Sequence, residues 1–235
     1  MVNMEDIEIK ENLARVYEKI AIAAAKVNRQ ASEITLVAVT KTVPVEKIII
    51  AINNGIKVIG ENRVQEADDK YPYIPHQVEW HLVGHLQTNK VKKALEIFSM
   101  IQSVDSLHLA LEIQKRALAV NKTIPVLIEV NTAQEESKFG IRESGLFNLV
   151  AEILKLSNVK LMGLMTLGPI TAIQNKEQSR PCFRKLYELK EKIEAEFRLK
   201  LPYLSMGMSS DYEVAIEEGA NMIRVGTAIF GSRLT

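Results

Sequence analysis

The feature that most constrains the fold is an apolar run at residues 34–39, which ends at Thr40 and Lys41. The run is rich in β-branched side chains and barely alternates with polar residues, as is typical of a parallel strand buried on both faces. Pro44 then presets φ for the first turn of a helix. Because α/β folds place their chemistry at the carboxyl ends of core strands, Lys41 is a candidate functional residue. The alternative is an ordinary surface lysine.

The rest of the chain repeats this strand-then-helix order. Strands are predicted at 34–39, 57–61, 79–83, 100–104, 125–130, 159–165, 203–206 and 222–225, and helices at 7–27, 45–54, 62–70, 89–97, 106–120, 144–156, 178–197 and 211–218. Little alternation within the strands indicates parallel pairing through helical crossovers. The sequence therefore predicts one domain over residues 1–235, a single (β/α)8 TIM-type barrel with an extra N-terminal helix. A doubly wound sheet is the alternative, because the second, third and seventh strands are short.

Composition narrows the class of protein. The formal net charge of +1 gives no general attraction to nucleic acid or to acidic membranes, so neither partner is expected. The single cysteine, Cys182, cannot form an internal disulfide, which favours a reducing compartment. The N-terminus is acidic and unlike a signal peptide, and no apolar run approaches the roughly 20 residues of a membrane span. We expect a cytoplasmic protein, and a monomer because the outer helices carry solvated faces.

The loops that follow the strands of such a barrel open on one face, and here they carry polar residues. These are Lys41, Asn62, Arg63, His85, Gln87, Asn89, Ser137, Lys138, Ser209, Ser210, Gly226 and Thr227. The loops after strands seven and eight, which contain the last four, are where barrels commonly hold a phosphate through backbone N–H groups and hydroxyls. The alternative is that Ser209 or Ser210 only caps a helix and Gly226 only turns the chain.

Arg224 lies inside the eighth strand. It alternates with Ile223 and Val225, so its side chain is predicted to point into the barrel while theirs point outward. Arginine is rarely buried without a partner, so Arg224 either pairs with an interior carboxylate or meets an acceptor atom of a ligand. A metal site at His81 and His85 is not expected, because a strand and a turn separate them.

Seven motifs carry a resemblance to a known family. They are Ala38-Val-Thr-Lys-Thr42, Gly60-Glu-Asn-Arg-Val-Gln-Glu66, Trp80-His-Leu-Val-Gly-His-Leu-Gln-Thr-Asn-Lys90, Ser137-Lys-Phe-Gly140, Gly163-Leu-Met-Thr166, Ser205-Met-Gly-Met-Ser209 and Arg224-Val-Gly-Thr-Ala-Ile-Phe-Gly231. In this order, from about residue 30 to the C-terminus, they resemble the pyridoxal phosphate homeostasis protein family, also called the YggS/PROSC family.

The resemblance implies a barrel similar to the N-terminal domain of alanine racemase, with pyridoxal 5′-phosphate held as a Schiff base on Lys41. It assigns the phosphate to Ser209, Gly226 and Thr227, with Ser210 as a further contact. It also implies that Arg224 faces the pyridine nitrogen and that Asn62 lies near the ring. Lys138 matches a lysine near the family's site, without an assigned role.

The implied function is a non-catalytic protein that buffers or delivers the cofactor, with no catalytic residues, and so supports vitamin B6 and amino-acid/keto-acid homeostasis. The implied partners are the cofactor and the apo-enzymes that use it. An arginine at the pyridine nitrogen is a poor proton source, so the ring is a weak electron sink. Racemases of the related type also need a second base, a tyrosine from an additional C-terminal domain. We expect no room for that domain, since the chain ends at Thr235.

Two alternatives remain open on the sequence. One is a small pyridoxal phosphate-dependent racemase that uses Lys41 as one base. The other is a Schiff-base aldolase on the same fold, whose last two loops hold a sugar phosphate.

Overall fold

Eight parallel strands close into a barrel in which each strand pairs with its sequence neighbours and β1 pairs with β8. The computed structural model describes residues 4–133, 135 and 139–231. The strands are β1 Thr35–Val39, β2 Val58–Glu61, β3 Glu79–Leu82, β4 Met100–Val104, β5 Ile124–Glu129, β6 Val159–Met165, β7 Tyr203–Ser205 and β8 Met222–Val225. The predicted (β/α)8 barrel is confirmed, and the doubly wound alternative is wrong.

Helices lie between the strands and around the barrel. They are α1 Met4–Lys26, α2 Val45–Asn53, α3 Val64–Lys70, α4 Val91–Ile97, α5 Leu107–Ala119, α6 Glu143–Ile153, α7 Arg180–Phe197, α8 Tyr212–Glu217 and the short α9 Thr227–Phe230. Gly55 ends α2 with φ +102°, a conformation that costs glycine little. Pro44 differs slightly from prediction, because it precedes α2 as the cap residue and does not lie in its first turn.

Side chains of the strands alternate between two apolar layers. The inner layer consists of Val37, Val58, Met100, Leu127, Met165 and Met222 from six of the strands, together with Val83 directly after β3. The outer layer packs under the helices and includes Ile223 and Val225, which therefore point outward as predicted. Because the side chains of the inner layer fill the barrel interior, it is a packed core and not a pore. Each fully buried side chain of this size contributes roughly 1.5–3 kcal/mol to the stability of the fold.

The N-terminal helix α1 lies across α2, α8 and α9. Its buried face carries the predicted Leu13, Val16 and Ile20. Asn12 on the same helix donates its Nδ2 hydrogen to the carbonyl oxygen of Ile229 at 2.9 Å. The helix therefore buttresses α9, which follows β8. No described helix is long and apolar enough to cross a membrane.

Candidate functional site

Lys41 lies just past the carboxyl end of β1, half-buried, and lines a cavity of about 330 Å³. Gly226 and Thr227, which follow β8, line the same cavity. The three come together because β1 and β8 are neighbours in the closed barrel, with Val37 in register with Arg224. Two regions that the sequence singled out independently, 185 residues apart (226 − 41), thus form one site.

Ser209 joins the two loops that were predicted to hold a phosphate. Its Oγ accepts hydrogen bonds from the backbone N–H groups of Gly226 and Ala228, each at 3.2 Å. Ser209 therefore does not cap α8, the helix that follows it in sequence. Its side chain contacts the start of α9, the short helix that follows the neighbouring strand β8. A Cβ added at Gly226 would lie 3.2 Å from the carbonyl oxygen of Val39, so the β1 end and the β8 loop approach closely here.

Asp211 fixes the loop that carries Ser209. Its Oδ1 accepts the N–H of Met208 at 2.7 Å, and its Oδ2 accepts the hydroxyl of Ser179 at 2.6 Å. Gly207 in the same loop has φ +93°, where a Cβ would press on the backbone of Tyr212. The loop conformation is therefore set by buried polar contacts and by a glycine.

Arg224 points into the barrel, as predicted, and is only 3% exposed. Its Nη1 donates to the hydroxyl of Ser205 at 2.6 Å and its Nη2 to the carbonyl oxygen of Thr166 at 2.7 Å. Burial lowers the pKa of Arg224 to about 10, against the raising effect of the Glu129 and Asp211 charges. The guanidinium therefore stays protonated at neutral pH. These bonds use two of its five N–H donors.

A line of hydrogen bonds continues from Arg224 into the barrel floor. Ser205 donates its hydroxyl to Oε1 of Gln102 at 2.6 Å, and Nε2 of Gln102 lies 2.9 Å from Nδ1 of His81. With the Gln102 amide in this orientation, Nδ1 of His81 accepts the bond. The arginine is thus held by a connected set of buried polar groups and not by a single partner.

His85 occupies a different environment from His81. It follows β3 in a loop, stacks on Phe139 with 4.2 Å between ring centroids, and places its Nδ1 3.2 Å from Oδ2 of Asp105. Across residues 4–133, 135 and 139–231, no group of three or more metal-ligating side chains is found.

Glu129 is an interior carboxyl that the sequence did not single out as functional. Burial at the end of β5 raises its pKa to about 7, the nearby Arg224 charge opposes this, and Asp105 adds to it. One signal was available in the sequence, since Glu129 is the only charged residue in an otherwise apolar strand. With a pKa of about 7, the Glu129 carboxyl can accept or release a proton near neutral pH.

Three predicted positions are less well defined. Asn62 is half-buried directly after β2, and its backbone lies so close to Gly84 that a Cβ there would clash. Ser210 is half-buried next to Ser209. Like Ser209 and Arg224, neither belongs to the lining of the Lys41 cavity in the described chain. Lys138, like Ser137, lies outside the described residues.

The fold and this arrangement define a class: a barrel of the alanine racemase N-terminal type, with a lysine after the first strand and an inward arginine on the last. The family model of the alanine racemase N-terminal domain matches residues 12–234. The pyridoxal phosphate homeostasis protein of Aquifex aeolicus is 48% identical over 224 residues, covering 95% of this chain and 97% of the relative. That of Escherichia coli K12 is 38% identical, covering 96% and 97%. The chain belongs to the pyridoxal phosphate homeostasis protein family.

Solved structures agree with this assignment. The crystal structure of an unknown protein from Bifidobacterium adolescentis is 35% identical in sequence, with a TM-score of 0.91 over 98% of this chain and 97% of that one. PipY of Synechococcus elongatus, solved with pyridoxal phosphate bound, is 32% identical, with a TM-score of 0.82 over 95% and 100%. Alanine racemase of Clostridium difficile, at 16% identity and a TM-score of 0.75, covers 97% of this chain and 57% of its own and shares the fold.

Proposed function

We propose that this protein binds pyridoxal 5′-phosphate through Lys41 and acts as a non-catalytic carrier that buffers or delivers the cofactor. The observation that carries the proposal is the meeting of Lys41, Gly226 and Thr227 at one cavity, with Ser209 bonded to the β8 loop. PipY, a relative of similar length, is described with this cofactor bound, and curated relatives are named for its homeostasis. The family name describes homeostasis and not an enzyme activity.

The donor set suits the chemical groups of the cofactor. Lys41 offers an amine to the aldehyde carbon, while Ser209 and Thr227 offer hydroxyl donors to a phosphate beside Gly226. Arg224 is the protonated donor for the pyridine nitrogen. Asn62 is proposed for the ring, and Ser210 is kept as a further phosphate contact. When bound, the cofactor supplies an aldehyde that captures amines and a ring that withdraws electrons.

The state of Arg224 argues against catalysis at an amino acid's α-carbon. Because the pKa of Arg224 stays near 10, its guanidinium donates a hydrogen bond at neutral pH but keeps its proton. The bonds to Ser205 and Thr166 hold it in place as a donor. A pyridine nitrogen facing such a group remains unprotonated, and an unprotonated ring stabilises a carbanion poorly. Tight binding without turnover is the expected behaviour.

The test is the visible absorption spectrum of the purified protein with added pyridoxal 5′-phosphate. Wild type should show the band of the lysine-bound cofactor, and Lys41→Ala should not. Lys47→Ala is the matched control, because Lys47 lines the same cavity but pairs with Glu5 at 3.1 Å, and it should keep the band. A wild type that stays colourless with the cofactor would refute the proposal, and a band that survives in Lys41→Ala would refute the lysine assignment.

A second candidate is a small amino-acid racemase, and Glu129 is the observation that favours it. A carboxyl whose pKa lies at about 7 can both give and take a proton near neutral pH. This candidate predicts exchange of the α-hydrogen of free amino acids with deuterated water that requires Lys41 and is lost in Glu129→Gln. The carrier proposal predicts no such exchange in any variant.

The proposed carrier role names its partners by chemistry. They are the cofactor and apo-enzymes whose own lysine captures the same aldehyde, and the setting is the cytoplasm. The carrier is proposed to act as a monomer. The test is to mix the loaded carrier with an apo-enzyme. Loss of the carrier's visible band while the apo-enzyme gains activity would support delivery. A carrier that keeps its cofactor in the presence of excess apo-enzyme would support buffering alone.

A further inference from the structure

Lys70 is a buried lysine that the cofactor site does not use directly. It ends α3 and is 8% exposed. Its Nζ donates to the carbonyl oxygen of Thr40 at 2.7 Å, to Oε1 of Glu61 at 2.8 Å and to Oε1 of Glu66 at 2.7 Å. These three bonds use all three ammonium hydrogens. The amine is therefore fully engaged, and Lys70 is not itself a ligand-binding group.

The cluster lies behind the barrel wall, between β2 and α3. A Cβ at Gly60 would contact the inner-layer residues Val37 and Val83, so Gly60 faces the barrel interior. Glu61, the next residue, then faces the helix layer. Burial raises the pKa of Glu61, and the bonds from Lys70 oppose this.

The bonds of this cluster end on the two residues that flank Lys41. Thr40 is held twice, by its carbonyl oxygen on Lys70 and by its hydroxyl, which donates to Oε1 of Glu61 at 2.7 Å. Thr42 is held once, since its backbone N–H donates to Oε1 of Glu66. The backbone on both sides of Lys41 is thus held by three side chains, Lys70, Glu61 and Glu66, that do not line the cavity.

Thr42 needs such a restraint. Its φ is +61°, in the left-handed region, which is strained for a β-branched residue. Strained backbone of this kind persists only where surrounding contacts enforce it, and such sites concentrate where a functional group must be aimed. The bond from Thr42 to Glu66, which is itself held by Lys70, is the contact from outside the turn that supports this conformation, beside the turn bond from the Val43 N–H to the Thr40 carbonyl oxygen at 3.0 Å.

We propose that Lys70, with Glu61 and Glu66, is a positioning device that holds Lys41 in the geometry required to capture the cofactor. The inference rests on the proposed function, because it assigns Lys41 as the capturing amine. Without the device, the turn at Thr42 relaxes and Lys41 is aimed correctly only part of the time. The apparent dissociation constant rises by the inverse of the competent fraction, so a turn that is correct a tenth of the time binds about tenfold more weakly.

The test compares cofactor dissociation constants, measured from the visible band, in Lys70→Met, Glu66→Ala and Lys93→Met. Lys93 is the matched control, since it also bridges two carboxylates, Asp68 at 2.8 Å and Glu96 at 3.1 Å, but does not contact the Lys41 loop. We expect cofactor binding to be about tenfold weaker in the first two variants than in wild type. The control variant, Lys93→Met, should bind the cofactor as tightly as wild type. Equal affinity in all three would overturn the proposal.

A rescue separates positioning from a general loss of stability. Asparagine tolerates the left-handed region better than threonine, so Thr42→Asn should restore most of the affinity in the Glu66→Ala background. No recovery, with affinity falling only in step with melting temperature, would overturn the proposal. If Lys70→Met does not fold, the comparison of Glu66→Ala with the Glu66→Ala, Thr42→Asn double variant still tests the positioning role.

A measurement on cofactor-free protein keeps this inference distinct from the proposed function. Hydrogen exchange at the Thr42 amide should be slow in wild type and faster in Lys70→Met and Glu66→Ala, whatever the protein binds. A wild type without a Lys41-dependent band would refute the proposed function alone. Unchanged exchange at Thr42 in both variants would refute the positioning device alone.

Discussion

Arg224 and Ser205 are joined inside the barrel by a 2.6 Å hydrogen bond from the guanidinium Nη1 to the serine Oγ. The same serine donates onward to Gln102 at 2.6 Å, so one hydroxyl links the inward cation to the barrel floor. The relationship helps to explain how a nearly fully buried arginine is tolerated: two of its five N–H donors bond to neutral oxygen atoms, and the Glu129 charge lies nearby. Because the Ser205 hydroxyl bonds to both Arg224 and Gln102, removing that one oxygen atom would affect two buried side chains.

Ser205→Ala is therefore expected to destabilise the protein by more than an ordinary buried serine would. Arg224 and Gln102 would each lose a partner, and an unsatisfied buried polar group costs roughly 1–3 kcal/mol. The measurement is the free energy of unfolding in urea. Ser103→Ala is the control, because the buried Ser103 hydroxyl has one neutral partner, the carbonyl oxygen of Gly84 at 2.6 Å. Equal losses in the two variants would show that the Arg224 contact contributes nothing extra.

Glu129 is expected to make stability fall as pH rises. Its pKa is about 7 in the folded protein against 4.5 as the ordinary value, so between these the folded state binds more protons than the unfolded one. The stabilising contribution is present below pH 4.5 and is lost through pH 7. Across the window it amounts to on the order of 3 kcal/mol.

Glu129→Gln removes this dependence, because the amide does not titrate. The free energy of unfolding of the variant relative to wild type should improve between pH 5 and pH 8. Glu112→Gln is the control: the hydrogen bond from Arg116 lowers the pKa of Glu112 from its ordinary 4.5, although burial opposes this. This carboxyl is therefore ionised in both the folded and the unfolded protein between pH 5 and pH 8, and its removal should leave the pH dependence in that window unchanged. A constant difference between Glu129→Gln and wild type at both pH values would contradict the assignment.

Ser209→Ala tests the phosphate loops separately from the lysine. Removal of a hydroxyl that contacts a charged group costs roughly 1.5–3 kcal/mol, so affinity for pyridoxal 5′-phosphate should fall about tenfold to a hundredfold. Affinity for pyridoxal, which lacks the phosphate, should stay close to that of wild type. Titration of both compounds into wild type, Ser209→Ala and Ser210→Ala gives the comparison. A Ser209→Ala variant that loses both compounds equally would exclude a specific phosphate contact, and the Ser210→Ala result decides whether the second serine takes part.

Much of the fold was predictable because the signals are local. Non-alternating apolar runs marked the strands, and the alternation around Arg224 gave its direction before any strand was paired. The closeness of Lys41 to Gly226 and Thr227 also followed, since a closed eight-stranded barrel must place the ends of β1 and β8 side by side.

The polar contacts that support the site were not predictable in the same way. Ser205 and Gln102 are 103 positions apart and meet only through the tilt and register of the closed barrel. Lys70 reaches back to Thr40 across 30 positions, and nothing local distinguishes it from a solvated lysine at a helix end. Such contacts depend on how the strands and helices pack in three dimensions. Residue types and their spacing along the chain do not by themselves predict that packing. The cofactor-binding roles of the predicted site residues stay predictions; these residues are Lys41, Asn62, Ser209, Ser210, Arg224, Gly226 and Thr227.

The most direct test of the central claim is to locate the attached cofactor. Wild-type protein loaded with pyridoxal 5′-phosphate is reduced with borohydride, digested, and mapped by mass spectrometry. We expect the reduced cofactor on the peptide that contains Lys41, at about one per chain, and its absence from peptides carrying Lys47 or Lys70. Attachment mainly to another lysine, or none in the loaded protein, would contradict it.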